Sequence, residues 1–487
     1  MRTTLITLAT VASARTAALQ LGLPKRPKLS MRAAATNEAE LTGLNREFLS
    51  IALPAVVQFA AEPVARLVDT AYMGRLGATA LGGAGAAVSA QYALGKLSND
   101  PLLRTSISLV AAEGGDASGA SVAAALALAS GVGLIQCVGT LAAAPFLLST
   151  VCGVSAASPM YGHALGYLRI AALGAPTATI WLVTNGIFRG LGDTATPLRW
   201  ALAFTAMNAV FDPIFIFPLK FGAAGAALGT ALAQTLALYP LLAALARRTG
   251  KASVPDLFRC DRALLLGSLR SYAKAGSLVL VRTLGKISAY SVCAREAAKL
   301  GAVASAAHIV CFTLGVATTQ LCEAAAVATQ SLLAREFFAS KTSRANARRL
   351  VALGLGVGAT ISTSLAALTF ANRRAVVAGL TTDPAVRAAC LTVFPLVMAC
   401  QALKGLAYPV NGCLMGALDW SAASATMWLS NGACALSLLR PTPTSLVKLW
   451  EGFACLFAVQ CAAGLARVAS RTGPFARLKG DGRAPAR

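Results

Sequence analysis

The sequence predicts an all-α polytopic membrane protein, with about 12 transmembrane helices in two six-helix lobes related as parallel repeats. Three observations carry this. Of 487 residues, 56% are hydrophobic and 13% charged, and the mean hydropathy is +0.65, whereas a soluble domain carries about 25% charged residues. Apolar stretches recur at lengths that span a hydrocarbon core of about 30 Å at 1.5 Å per helical residue. The chain also repeats itself. NGIFRGLGD at 185–193 and NGCLMGALD at 411–419 share Asn, Gly, Gly and Asp at identical spacing, and LGATALGGAGAAVS at 76–89 meets LGAVASAAHIVCFT at 300–313 at nearly the same offset. Six spans to a half is an even number, so the halves insert with the same orientation. A V-shaped pair of bundles with a cleft between them is the expected result, an architecture suited to alternating access.

The spans are expected at 50–74, 80–112, 118–144, 164–188, 196–218, 222–245, 270–294, 302–334, 347–371, 388–414, 420–439 and 445–466. This divides the chain into a leader at 1–45, an N-lobe at 46–246, a basic inter-lobe loop at 247–269, a C-lobe at 270–467 and a basic tail at 468–487. Abundant Gly and Ala with few aromatics suits close helix packing in lipid. The net charge of +24 does not point to nucleic acid, because the basic residues form no stripe with interleaved aromatics; they sit in loops. Arg247, Arg248, Lys251, Arg259 and Arg262 follow span six, and Arg467, Arg471, Arg477, Lys479, Arg483 and Arg487 fill the tail, whereas 146–163 has no Lys or Arg. By the positive-inside rule, both termini and the inter-lobe loop face the compartment of insertion.

The first 37 residues hold no Asp or Glu but carry Arg2, Arg15, Lys25, Arg26, Lys28 and Arg32 among Ser, Thr and Ala. That is transit-peptide chemistry, with plastid ahead of mitochondrion; a secretory signal, lacking one clean apolar core, and a disordered cytosolic tail are the rivals. The expected location is the chloroplast or plastid envelope, with the plasma and vacuolar membranes as alternatives. The twelve cysteines contain no Cys-x-x-Cys and fall mostly singly within spans, as buried small hydrophobes do.

One stretch breaks the apolar pattern. NAVFDPIFIF at 208–217 puts Asn208 and Asp212 on one helix face, and Pro213 leaves the carbonyl of Ala209 without its usual donor. An ionisable residue inside a span is costly and marks function. A tight turn near Phe221 and Gly222 sends the chain back, so Thr230 returns to the depth of Asp212, and Asp69 in LVDTAYMGRLG lies at a similar level below Arg75. Asp69, Asn208, Asp212 and Thr230 can therefore converge. Carboxylate, amide and hydroxyl oxygens suit Na⁺, and a desolvated carboxylate suits H⁺. The competing reading, helix-packing hydrogen bonds, fits Asn and Thr better than two intramembrane aspartates.

LVDTAYMGRLG, NGIFRGLGDTATP, NAVFDPIFIF and GAAGAALGTALAQ, in that order, resemble the multidrug and toxic compound extrusion (MATE) family over about Arg46 to Arg467. GKLSNDPLLRTSISLVAAE and AAHIVCFTLGVATTQLCEAAAVATQSLLAREF resemble its plant and algal, DinF-like branch, which includes plastid carriers of organic anions. The resemblance implies twelve helices in two lobes, no cofactor, and antiport of an organic solute, an organic anion such as a carboxylate or a xenobiotic, against H⁺ or Na⁺. It places the N-lobe cation site on Asp69, Asn208, Asp212 and Thr230. Some members carry a C-lobe acid that TLGKISAYSV lacks here, and an acidic motif is replaced by Pro409-Val410-Asn411-Gly412, so coupling is expected in the N-lobe. Glu62, Arg66, Glu323 and Asn411 are candidates for the substrate cleft. Glu62, Arg66 and Asp69 share a helix face, so Arg66 either neutralises Asp69 or attracts an anionic solute. The expected partners are a small organic solute, H⁺ or Na⁺ and the lipid bilayer, with no nucleic acid and the chain a monomer.

Other function classes fit less well. A lipid or lipid-linked oligosaccharide flippase of the same superfamily would show a more cationic cleft than Arg66 and Lys404 supply. An ion channel does not need repeats with midplane carboxylates. An enzyme is not expected: His163 and His308 are the two histidines and have no metal-ligand spacing, with His163 solvated and His308 a packing or capping residue.

Overall fold

The computed structural model describes residues 43–60, 72–73, 76, 78–113, 119–152, 154–258, 261–339, 343–381, 383–441 and 444–478. Most of these are helical, and none is in a strand. Helix α1 covers 43–60 of the described residues. It is followed by α2 (Ala78–Ala112), α3 (Gly119–Phe146), α4 (Tyr161–Leu173), α5 (Ala175–Gly190), α6 (Ala195–Ile216), α7 (Gly222–Arg248) and α8 (Arg262–Lys299). Then come α9 (Ala302–Gln320), α10 (Cys322–Phe338), α11 (Arg344–Ala371), α12 (Arg373–Leu380), α13 (Pro384–Gly416), α14 (Trp420–Leu438) and α15 (Leu446–Ala469).

Each of the twelve expected intervals holds described helix, most of it running a few residues past the expected bounds, while the short α12 lies between two of them. Six of them are individually long and apolar enough to cross a bilayer, and the bent α4–α5 pair passes the same test as one span. Helix α6 falls outside that set, and its apolar run is the one interrupted by Asn208, Asp212 and Pro213. Large apolar side chains such as Leu134, Ile135 and Val138 on α3 and Leu436 on α14 point outward and exposed, as lipid-facing positions do.

Several elements differ from the expected pattern. The fourth span bends by 53° between α4 and α5. Pro176 removes an N–H just past Gly174, and small residues let neighbours close on the bend: a Cβ at Gly133 of α3 would lie 2.6 Å from the Pro176 Cα. The eighth span breaks at Leu321 into α9 and α10. The loop after span six is shorter than expected, because Pro255–Phe258 forms a 3₁₀ turn with Leu257 buried and α8 begins at Arg262. Just past α15, Phe475 is buried against Phe337 of α10, with ring centroids 5.9 Å apart. The leader at 1–42 lies outside the described residues.

The chain forms two compact units, one of Ile51–Leu284 and one of the residues up to Ser50 with Gly285 onward. In the first, α6 packs most extensively on α7, and α5 on α2 and α3, around Leu126, Val183, Ile187, Phe188, Leu241 and Leu245. In the second, α13 is central, packing on α10, α11 and α15 around Val393, Phe394, Val397, Phe453 and Leu456.

The repeated motif does the same structural work in each unit. A Cβ at Gly186 or Gly190 would lie 2.9 Å or 2.8 Å from the carbonyl oxygens of Leu103 and Ile107 on α2. One at Gly412 or Gly416 would lie 2.6 Å or 2.7 Å from those of Ala326 and Gln330 on α10. Two glycines four residues apart thus press a helix onto two carbonyls four residues apart, the small-residue packing that membranes favour. The terminal aspartate caps the next helix. Asp193 accepts from the Thr196 N–H at 2.9 Å, and Asp419 from the Ala422 N–H at 3.4 Å while pairing with Arg467 at 2.8 Å.

Candidate functional site

NAVFDPIFIF forms the last turns of α6 and the step out of it. Asp212 is 0% exposed and Asn208 is 4% exposed. The Asn208 Nδ2 donates to the Asp212 Oδ2 at 3.3 Å, across one helical turn. Pro213 does not break the helix, which runs on to Ile216, and the Phe217 N–H donates to the Pro213 carbonyl at 3.1 Å. Lys220 and Gly222 then take positive φ values of 56° and 55°, and the chain turns back into α7.

The return helix decides how the carboxylate is held. Gly225 and Gly229 face α6: a Cβ at Gly225 would lie 2.8 Å from the Phe215 carbonyl carbon, and one at Gly229 would collide with the Asp212 carboxylate. The missing side chain at Gly229 is what lets α7 close over Asp212. Thr230, half-buried, follows directly, within one residue's rise, about 1.5 Å, of that level. Thr230 thus comes to the level of Asp212 from a second, packed helix, and Asn208 lies one turn from Asp212 on α6. Asp69, Glu62 and Arg66 lie outside the described residues. Among the described residues, no cluster of three His, Cys, Asp or Glu side chains could hold a metal ion.

The other candidates lie in the second unit. Glu323 is half-buried in the first turn of α10, and Asn411 is buried in α13 beside the glycine ladder. His308 is a packing residue: it is buried and stacked on Phe453, with centroids 6.0 Å apart. His163 is exposed.

Two polar groupings escaped sequence reasoning. In α2, Arg104 pairs with Asp100 at 3.0 Å, both side chains largely buried. In α5, Arg189 donates to Gln58 at 3.0 Å and lies 5.0 Å from the Phe59 ring, and Gln58 donates to Asn185 at 2.9 Å. The signal for the first was present, since opposite charges at i and i+4 inside an apolar run are unusual. The second depends on packing between helices distant in sequence.

The geometry fits a known family. The family model for MatE matches residues 54–214, a stretch that includes Asn208 and Asp212. Protein DETOXIFICATION 44, chloroplastic, of Arabidopsis thaliana is 33% identical over 449 residues, which cover 89% of this chain and 84% of that protein. The chain belongs to the MATE family. Protein DETOXIFICATION 45, chloroplastic, of the same plant is 30% identical, covering 90% of this chain and 81% of that protein. Among solved structures, the Vibrio cholerae MATE transporter VcmN in its bent form superposes with a TM-score of 0.79 at 16% identity, over 89% of this chain and 98% of that one. A MOP superfamily transporter from Pyrococcus furiosus superposes with a TM-score of 0.75 at 18% identity, over 90% and 97% of the two chains. This MATE protein is a multi-pass membrane transporter and not an enzyme.

Proposed function

We propose that this MATE protein is a secondary antiporter of the plastid envelope that exports an organic solute in exchange for H⁺ or Na⁺, with the coupling ion held by Asp212, Asn208 and Thr230 together with Asp69. The observation that carries the reading is the Asp212 carboxylate, at 0% exposure in an apolar helix and covered by Gly229. Left ionised there it costs several kcal/mol; a proton or a Na⁺ ion removes that cost, and the site's oxygens suit either. Ion binding and release then change the free energy of Asp212 burial, so an ion gradient can bias the two states of an alternating-access cycle. The acid-free leader and the chloroplastic names of two relatives support the plastid location. The test is flux in proteoliposomes of purified protein with an imposed pH or Na⁺ gradient, using labelled carboxylates and organic cations. Flux should follow one of the two ions and collapse with its ionophore. Solute movement indifferent to both gradients would overturn the reading.

A further inference from the structure

A cavity of about 310 Å³ opens in the Ile51–Leu284 unit, where α2 ends, α3 begins and α8 sets out. Its walls include Glu113 just past α2, Ser121 in the first turn of α3, and Gly267, Ser268, Ser271 and Tyr272 of α8. That volume is at the lower end of the range for ligand sites, about 300–1,000 Å³. Helices α2 and α3 are consecutive spans, and the next span along the lining, on α8, is expected only from 270. The cavity therefore lies at the level of the lipid headgroups.

One wall group has no packing explanation. Tyr272 is 1% exposed and its ring is part of the apolar core with Val122 and Leu126, yet its hydroxyl makes no hydrogen bond among the described residues. The polar neighbours of that hydroxyl are Ser106, Ser121 and Glu113. Leaving a buried hydroxyl unmet costs about 1–3 kcal/mol, and phenylalanine would fill the same space without that cost. A hydroxyl in the wall of a cavity has another use, which is to meet a polar ligand.

The lining selects against charge of either sign. Among the described residues it holds no Lys or Arg, and the Glu113 carboxylate opposes an anion. A cation meets Arg262, Arg270 and Lys274, exposed along the same turns of α8. What fits is a neutral ligand rich in hydroxyls: serine and tyrosine hydroxyls both donate and accept, and a carboxylate accepts from two hydroxyls at once. Leu109 and Leu264 add apolar surface to the wall. Leu264 and Leu266 are 62% and 58% exposed, and leucines at the headgroup boundary bear on the upper acyl chains of the lipid.

We propose that this cavity binds the neutral glycosyl headgroup of a membrane glycolipid. Glu113, Ser268, Ser271 and the Tyr272 hydroxyl hold the sugar, and the exposed leucines meet the apolar part of the lipid. The occupant is the lipid and not a free sugar. Sugar hydroxyls alone exchange water for protein at little net gain, whereas acyl chains keep the headgroup at the depth of the cavity.

Native mass spectrometry and thermal melting of the purified full-length protein test it, in a polyoxyethylene detergent that carries no sugar. The probes are monogalactosyl diacylglycerol, phosphatidylcholine, phosphatidylethanolamine and phosphatidylglycerol with matched acyl chains. Wild type should bind the galactolipid saturably, about tenfold or more tightly than the other three, and melt higher in its presence. A Cβ at Gly267 meets nothing within 4 Å, so Gly267→Leu should fold, fill the cavity and lose that preference. Tyr272→Phe keeps the ring and removes only the hydroxyl. Without lipid it should melt no lower than wild type, yet it should bind the galactolipid several-fold more weakly; a merely packed tyrosine predicts no change in binding. Should Gly267→Leu nonetheless lose monodispersity, Tyr272→Phe carries the test alone. Equal affinity for all four lipids would overturn the site, as would wild-type galactolipid binding in both variants. Preference for phosphatidylglycerol or phosphatidylethanolamine would mean a charged ligand and overturn it too. Methyl galactoside binding as tightly as the galactolipid would overturn the lipid as occupant.

Discussion

Among the described residues, Asn208 donates to one Asp212 carboxylate oxygen, and Gly229 leaves room for the other. In the proposed site, Thr230 and Asn208 supply neutral oxygens that support an ion without adding charge. Asn208→Ala and Thr230→Ala should therefore each weaken ion affinity and raise the gradient needed for half-maximal flux, without abolishing it. Because ligands of one ion share its binding energy, the double variant should differ from the sum of the singles by about 0.5 kcal/mol or more in apparent affinity. Strict additivity in titrations of flux against ion concentration would place the two residues outside one site. The carboxylate itself was legible in the sequence, since a charge inside NAVFDPIFIF has few bland explanations. Lys404 was visible too, as a charge in an apolar span. Its place over the Phe457 ring was not, because that depends on packing between helices distant in sequence.

At the scale of the helix, the account rests on glycines that do not bend the chain but let another helix approach. Gly190 and Gly416 sit at equivalent places in the two copies of the repeated motif, each against a carbonyl of the partner helix. Gly190→Leu and Gly416→Leu should each destabilise the detergent-solubilised protein by about 1–3 kcal/mol or more, as overpacking does. Leucine at Gly432, which has open space around it, should be tolerated. Equal melting temperatures for all three variants would remove the packing role. The repeat was readable from residue identity, and the spans from apolar length. The bends were less so. Gly174 and Pro176 mark the α4–α5 bend locally, but hydropathy does not register an angle, and the break at Leu321 has no proline or glycine beside it.

For the whole molecule, charge placement makes a prediction independent of any single site. Cysteines introduced at Ser253 and Gly473 should react with impermeant reagents from the same side of the membrane, because an even number of spans separates them and basic residues crowd both ends. Labelling from opposite faces would mean that the number of spans between them is odd. Composition, span length and loop charge make this level of description legible in the sequence, because lipid imposes the same demand on every span. The placement of side chains within each unit needed tertiary packing. The central claim is that one buried carboxylate couples solute movement to an ion. Its most direct test is gradient-driven solute flux in proteoliposomes carrying Asp212→Asn, at protein level and monodispersity matched to wild type. Asparagine keeps the shape and most of the hydrogen bonding of the aspartate, so the account predicts a folded, inserted protein whose gradient-driven flux is abolished. Wild-type coupled flux in Asp212→Asn would contradict it.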